Sequence, residues 1–170
     1  LNDGEKSFSG LKREIRFHDL TFGYEAEPVL HEINCALLKG QTTAIVGRTG
    51  SGKSTLVSLL MRFYEVPKGS ITIDGVDIRD LSIASLRDRM AYVNQDCYLL
   101  NDTIRANITY GLQRTVSAEE LQEVLGKARL DELVSRQAEG LEARVGDRGI
   151  MVSGGEKQRI ALARALLREP

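Results

Sequence analysis

Residues 42–60 of the chain read TTAIVGRTGSGKSTLVSLL, and this stretch decides the fold class. Its first part, residues 42–46, is apolar and β-branched without alternation, which is typical of a strand buried on both faces of a parallel sheet. After the glycines, leucines recur at helical spacing at positions 56, 59 and 60, and the pattern continues to Phe63 before Pro67 ends it. The stretch therefore predicts a strand, a glycine-rich loop and a helix in direct succession.

The loop between the predicted strand and helix, residues 47–54, reads GRTGSGKS and matches the pattern GxxxxGK[ST]. Glycines let successive backbone N–H groups point inward, and the helix adds the positive end of its dipole, so such a loop binds phosphate oxygens. Lys53 would reach the terminal phosphates, the Ser54 hydroxyl would bind Mg²⁺, and Thr55 would help to orient the phosphates. The alternative is a glycine-rich turn with a chance Lys-Ser pair. The candidate nucleotide-binding residues here are Gly47, Arg48, Thr49, Gly50, Ser51, Gly52, Lys53, Ser54 and Thr55.

The segments on both sides of this core are predicted to add strands and one helix. Residues 1–12 are polar with several glycines and serines, as in a linker that enters a domain. Residues 15–22 and 29–38 have the composition of two strands, which we expect as antiparallel edges of a sheet. Residues 70–74 form a further short strand, and residues 82–93 favour a helix followed by another strand.

The second half of the chain is predicted to be mainly helical. Ser117 and Glu120 form a capping-box pattern, which marks the start of a helix. Ser153 and Glu156 repeat the pattern at the start of the last helix. The apolar stripes of these two helices consist of Leu121, Val124, Leu125 and Ala128 in the first and of Ile160, Ala163 and Leu167 in the second.

Bulk properties narrow the class of protein. The formal net charge of −1 gives the 170-residue chain no basic field, so nucleic acid is not expected as a main partner. The longest strongly apolar stretch, residues 56–61, is far shorter than the roughly 20 residues that span a bilayer, and no secretory leader opens the chain. Cys35 and Cys97 show no metal or redox spacing. We therefore expect this piece to be one soluble domain or a large part of one.

A second motif, VSGGE at residues 152–156, stands at the start of the last predicted helix and is followed by KQRIALARAL. The capping box of Ser153 and Glu156 explains a helix start, but two glycines in a first turn are poor helix formers. Bare N–H groups at the positive helix end suit a phosphate, so Ser153, Gly154, Gly155 and Glu156 are candidate binding residues. The stretch closely resembles the signature motif and signature helix of ABC ATPases.

This resemblance extends over nearly the whole chain from Ile15 and implies further site residues. Tyr24, in FGY, corresponds to the aromatic residue that stacks on adenine, although a core tyrosine beside a turn is the alternative. Gln95, in YVNQD, corresponds to the loop glutamine that contacts Mg²⁺ and the attacking water and senses the membrane domain. The run at residues 99–111 is similar to the region of exporter-type members that packs against helices from the membrane domain.

The fold class implied is α/β, with a P-loop NTPase core, an N-terminal antiparallel β subdomain and a helical signature subdomain, incomplete at the C-terminus. Residues 1–12 would be a linker from an upstream transmembrane domain, and residues 13–170 the ABC ATP-binding domain. ATP and Mg²⁺ are the implied cofactors. The implied partners are a transmembrane domain and a second ATP-binding domain in a head-to-tail dimer, in which Ser153 to Glu156 act in trans, at the cytoplasmic face of a membrane.

Three departures from the family pattern qualify these expectations. In the stretch before the signature, Arg144 stands where exporters often carry a glutamate, which puts an acidic contact to the membrane domain or partner in doubt. Glu156 replaces the usual glutamine and Val152 the usual leucine, so a carboxylate stands where the partner's phosphate is expected. The repulsion shrinks if Glu156 folds back onto the Ser153 backbone N–H, as in a capping box. The sequence also stops at Pro170, before the metal aspartate, the water-polarising glutamate and the switch histidine of the family, so we expect ATP binding without hydrolysis.

Two alternative functions stay open at this point. One is an ABC domain that uses ATP only as a dimerisation switch, which Val152 and Glu156 permit. The other is a soluble ABC ATPase of chromosome maintenance. That class carries a long coiled coil between the phosphate loop and the signature, whereas about 100 residues lie between them here.

Overall fold

The computed structural model describes residues 2–112 and 114–170, and the chain divides into two units, of which the first ends at Arg89 and the second begins at Met90. The first unit contains strands β1 (Glu14–Phe22), β2 (Leu30–Leu38), β3 (Lys68–Ile73) and β4 (Val76–Asp77) and helices α1 (Lys53–Leu60) and α2 (Ile83–Asp88). The second unit contains helices α3 (Ile104–Thr109), α4 (Ala118–Lys127), α5 (Asp131–Arg136) and α6 (Gly154–Leu166). Short 3₁₀ turns occupy Ile78–Asp80, Gly140–Glu142 and Asp147–Gly149.

The sheet of the first unit is antiparallel, with the strand order β2-β1-β3-β4. Ile15 of β1 lies opposite Leu37 of β2 on one side and Ile73 of β3 on the other. The prediction that β1 is an edge strand is therefore wrong, whereas β2 does lie at an edge. Because β1 and β2 are adjacent in sequence, we expect them to pair with each other at the edge of a sheet. In the structure β1 also pairs with β3, which follows α1 in the sequence.

Helix α1 buries residues of its middle turns in the first unit. Leu56 and Leu59 are buried, as the helical spacing predicts. The helix ends at Leu60, earlier than the apolar pattern indicates, because Arg62 adopts a left-handed backbone with φ 51°. The Arg62 guanidinium is fully buried and donates hydrogen bonds to the carbonyls of Ile78 and Leu81. A buried, hydrogen-bonded side chain just after α1 thus decides where the helix stops.

The predicted strand at residues 42–46 is absent, and this prediction is wrong for the structure. The segment carries no regular secondary structure, and Val46 is 88% exposed. A strand forms when a neighbour takes up its backbone hydrogen bonds, and no strand among the described residues pairs with this segment. The predicted strand at residues 90–93 is absent for the same reason.

The second unit has its own hydrophobic core, to which all four of its helices contribute. Helix α4 begins at the predicted capping box of Ser117 and Glu120, so that prediction is confirmed. The buried amide of Asn107 in α3 bonds the backbone N–H and carbonyl of Leu100, and Arg164 of α6 donates to the Asn107 carbonyl. These contacts fix the loop before α3 to the signature helix.

The N-terminal segment is hydrogen-bonded to the first unit, while Leu1 of the predicted linker lies outside the described residues. The Asp3 carboxylate accepts from the Ile83 backbone N–H at the start of α2. The Lys6 backbone N–H donates to the Asp80 carbonyl, and the Ser82 N–H donates to the Lys6 carbonyl. Within residues 2–112 and 114–170, no helix has the length and apolar character needed to cross a membrane.

Candidate nucleotide-binding site

The glycine-rich loop leads into α1 through a backbone that only glycine fits well. Gly52 caps the helix with φ 85°, and a Cβ atom there would stand 2.5 Å from Cδ2 of Leu30 in β2. Both the left-handed backbone and the close approach of the strand require glycine at this position. The loop at residues 47–51 is exposed, and the first N–H groups of α1, which have no partner within the helix, favour an anion there.

Lys53, the first residue of α1, folds back across this loop. Its Nζ donates to the carbonyls of Gly47 at 2.9 Å and Arg48 at 2.8 Å. The ammonium group has three donors, so one remains for a phosphate oxygen without breaking either contact. The structure therefore places the cation of the motif at the mouth of the loop.

Tyr24 lies against the same helix start. Its hydroxyl donates to the Thr55 Oγ1 atom at 3.1 Å, while Tyr24 as a whole is 52% exposed. Thr55 is buried, and Ser54 beside it is exposed. The structure thus brings together Tyr24, the loop and the first turn of α1, although these residues are far apart in sequence.

One aromatic residue at this site is not among the sequence-predicted candidates. The ring of Tyr64 lies 5.1 Å from the ring of Tyr24 in an edge-to-face arrangement, and Phe22 makes a similar contact with Tyr24 at 5.2 Å. No spacing rule connects position 64 with position 24, so sequence reasoning had no signal for this contact.

In the second unit, Gln95 and the two signature glycines line one open cavity of about 540 Å³. Gln95 is exposed in a loop without regular structure, and Arg148 and Lys157 add positive charge to the cavity wall. The Lys157 Nζ donates to the Arg148 carbonyl at 2.9 Å, which holds the lysine beside the start of α6. The cavity therefore combines the amides of Gln95 and Gln158, two cations, the Asp96 carboxylate and the N–H groups of the helix start.

The capping box predicted for Ser153 and Glu156 is present, and Glu156 folds back as expected. The Glu156 backbone N–H donates to Ser153 Oγ at 3.3 Å, and the Ser153 backbone N–H donates to Glu156 Oε2 at 2.7 Å. The Ser153 hydroxyl also donates to the same carboxylate oxygen at 2.8 Å. The carboxylate is thus bonded within its own helix turn.

Glu156 has a second partner that sequence reasoning missed. Nη2 of Arg136, at the end of α5, forms an ion pair with the other carboxylate oxygen of this buried residue. The Ser153 backbone N–H and hydroxyl lower the pKa of the Glu156 carboxyl below its ordinary value, and Arg136 acts in the same direction. The negative charge of Glu156 is therefore balanced by Arg136 and stabilised by hydrogen bonds from Ser153.

The two signature glycines are not required by the packing of the chain. A Cβ atom added to Gly154 or Gly155 would meet no atom within 4 Å, and neither residue has a left-handed backbone. Glycine destabilises a helix interior by about 1 kcal/mol relative to alanine. No described contact within the chain explains two glycines at this helix start.

A metal site made of protein ligands alone is not evident in the described ranges. No group of three His, Cys, Asp or Glu side chains gathers there to hold a metal ion. Ser54 offers an exposed hydroxyl in the first unit and Gln95 an exposed amide in the second. Such hard oxygen donors, few in number, fit Mg²⁺ when it also keeps waters and phosphate ligands.

Comparisons with known proteins agree on one family. The family model described as ABC transporter matches residues 30–170. The uncharacterized ABC transporter ATP-binding protein YwjA of Bacillus subtilis is 45% identical over 166 residues, which cover 97% of this chain and 29% of that protein. The ATP-dependent lipid A-core flippase of Yersinia pestis is 43% identical over 169 residues, covering 98% of this chain and 29% of the flippase.

The fold comparison agrees with the sequence comparison. A solved structure of a bacterial Atm1-family ABC exporter with ATP bound matches with a TM-score of 0.92 and 38% identity, over 99% of this chain and 29% of that one. The α/β P-loop fold predicted from the sequence is thereby confirmed. The chain spans about 29% of the length of these relatives.

Proposed function

The chain belongs to the ABC transporter family, and from this premise we propose that it binds ATP with Mg²⁺ as the ATP-binding domain of a membrane exporter. In this proposal ATP binding and hydrolysis by the whole protein drive transport across a membrane, with the domain at the cytoplasmic face beside a transmembrane domain. Relatives described as a flippase and as an exporter support the direction of transport.

The observation that carries the proposal is the pair of glycines at the start of α6. Neither Gly154 nor Gly155 is needed for packing or for backbone conformation. Their N–H groups lie at the positive end of a 13-residue helix, where an anion is stabilised. Glycines without side chains would let a phosphate approach this helix start closely. This function explains the two glycines, whereas packing within the chain does not.

The phosphate loop supplies the other half of the proposed site. Lys53 and the N–H groups of α1 would hold the β and γ phosphates, Tyr24 would stack on the base, and the family resemblance makes Ser54 and Gln95 candidate ligands of Mg²⁺. The ion supplies charge neutralisation when bound. The starts of α1 and α6 are both suited to bind phosphate. We therefore propose that two protomers pair head to tail, with one nucleotide between the loop of one protomer and the signature of its partner.

Hydrolysis requires more than these binding residues. Phosphoryl transfer depends on a metal-binding aspartate and a water-polarising glutamate, which the family resemblance places after the signature helix. Asp74 does not replace them, because its carboxylate accepts hydrogen bonds from the backbone N–H groups of Lys12, Arg13 and Glu14. We therefore propose that the 170 residues alone bind ATP and do not turn it over.

Phosphate release tests this proposal. We expect Mg²⁺-dependent release of phosphate from the protein as its gene encodes it, loss of release in Lys53→Ala, and none from the 170-residue chain. The control is Lys39→Ala, which removes an exposed lysine of the first unit that is not part of the loop motif. Equal release from the chain and the encoded protein would contradict the assignment of the catalytic groups. If the encoded protein binds ATP but releases no phosphate, the domain is a dimerisation switch.

A further inference from the structure

We propose that Tyr64 is a positioning residue that holds the ring of Tyr24 in the orientation that stacks on the nucleotide base. The inference deepens the proposed function and rests on it. It starts from an aromatic cluster of three rings, Phe22, Tyr24 and Tyr64, which lies beside the first turn of α1. Tyr64 lies four residues after the end of α1 and contacts Tyr24 from there.

Three contacts restrict the Tyr24 side chain: two with neighbouring rings and one through its hydroxyl. Phe22 meets the ring edge-to-face at 86° and Tyr64 at 81°, and the hydroxyl is bonded to Thr55. Aromatic pairs prefer this edge-to-face geometry because the positive ring edge meets the negative face. The Tyr24 ring is therefore held by neighbours from β1, from α1 and from the segment after α1.

Phe22 and Tyr64, whose rings also contact each other at 5.7 Å, differ in how deeply they are buried. Phe22, the last residue of β1, is buried with 6% exposure and is part of the core of the first unit. Tyr64 is 44% exposed, and so contributes little to that core. Removing Phe22 would damage the fold, whereas removing Tyr64 takes away ring contacts with Tyr24 and with Phe22 at the rim of the site.

The backbone on both sides of Tyr64 is fixed, which makes the residue a suitable support. Arg62 is fully buried and donates hydrogen bonds to the carbonyls of Ile78 and Leu81, and the Phe63 N–H donates to the Ser58 carbonyl. Val66, two residues further, is buried. A half-exposed tyrosine such as Tyr24 otherwise loses rotamer freedom when a ligand orders it. A rigid neighbour removes part of that entropy loss before the nucleotide arrives.

The test compares ATP with inorganic tripolyphosphate, which has the phosphates but no base. Affinities are measured by calorimetry on the encoded protein, with Mg²⁺, for Tyr64→Ala and Tyr64→Phe, each made in the parent and in the Tyr24→Ala background. Leu38→Ala, which removes an exposed apolar side chain at the end of β2, is the control.

We expect Tyr64→Ala to weaken ATP binding by roughly two- to tenfold, the range of an edge-to-face pair, and to leave tripolyphosphate binding unchanged. Tyr64→Phe keeps the ring and should bind ATP like the parent. In the Tyr24→Ala background, Tyr64→Ala should have no further effect. A merely structural role would weaken both ligands and would persist without Tyr24.

Four results would overturn the inference. They are an unchanged ATP affinity in Tyr64→Ala, an equal loss for tripolyphosphate, the same loss in the Tyr24→Ala background, and an unchanged ATP affinity in Tyr24→Ala itself. The third result would mean that Tyr64 contacts the nucleotide directly. If the parent binds no ATP, or if Lys53→Ala binds it equally well, the proposed function fails and the inference fails with it. A loss in Lys53→Ala without one in Tyr64→Ala would overturn the inference alone.

Discussion

Arg136→Met should loosen the start of the signature helix, because it removes the cation that pairs with Glu156 and keeps an unbranched apolar stem. The Glu156 side chain is 11% exposed and that of Arg136 is 54% exposed. Breaking a fully buried pair costs about 3–5 kcal/mol, because it leaves a buried charge, whereas an exposed pair contributes about 0–1 kcal/mol. Ser153 still bonds the carboxylate, so we expect a loss of about 1–2 kcal/mol, between these limits.

Amide hydrogen exchange measures this loss at the helix start itself. The Glu156 N–H is bonded to Ser153 Oγ, and the Lys157 N–H to the Ser153 carbonyl at 2.9 Å. Both amides exchange when the first turn opens, so a loss of about 1–2 kcal/mol should speed their exchange roughly 5- to 30-fold. Global unfolding is a poor measure here, because the chain divides into two units.

Two comparisons isolate the charge effect. Glutamine also completes a capping box, so in the Glu156→Gln background Arg136→Met should cost less than about 0.5 kcal/mol. Arg105→Met breaks a pair with Glu142 in which both side chains are about half exposed, and it should have a smaller effect. An equal loss in the parent and in the Glu156→Gln background, or a loss no larger than that of Arg105→Met, would refute the reasoning.

Four further outcomes are expected. Lys53→Ala should weaken ATP binding in calorimetry, while Lys39→Ala should not. Tyr24→Ala should lose about 1–3 kcal/mol of ATP affinity, with ATP and GTP bound similarly in the parent, because stacking on a π-face does not read base edges; a strong preference for ATP would contradict this. Subunits carrying Ser153→Ala, mixed with subunits carrying Lys53→Ala, should recover an ATP-driven dimer with one intact site, and no recovery would count against action in trans. The lowered pKa of Glu156 means that its stabilisation is present above the ordinary glutamate value of about 4.3 and is lost as the pH falls through the lowered pKa, so the effect of Arg136→Met on amide exchange should shrink at acidic pH.

Features decided by a few neighbouring residues were predictable from the sequence. Both capping boxes, at Ser117 and at Ser153, form as predicted, because each needs only a side chain and an N–H three residues away. Helix α1 starts at Lys53 as the loop motif predicts. The return of Glu156 onto Ser153 was predictable for the same local reason.

Features that depend on a distant neighbour were not predictable. Residues 42–46 have the composition of a strand. A strand also needs a neighbouring strand to pair with, and none of the described residues pairs with this segment. The end of α1 follows from hydrogen bonds between Arg62 and carbonyls 16 and 19 residues away. The contacts of Tyr64 with Tyr24 and of Arg136 with Glu156 likewise join elements that no sequence period connects.

The ion pair with Arg136 alters the electrostatic effect of having glutamate instead of the family's glutamine at position 156. Counted alone, the carboxylate opposes a phosphate at the start of α6, but its charge is matched by Arg136, and its hydrogen bonds go to Ser153. The N–H groups of Gly154 and Gly155 are not used by this carboxylate, so the positive helix end keeps its attraction for an anion. Restoring the family's glutamine at this position would therefore not restore a neutral signature, because it would leave the Arg136 cation without its carboxylate and add one positive charge beside the helix start.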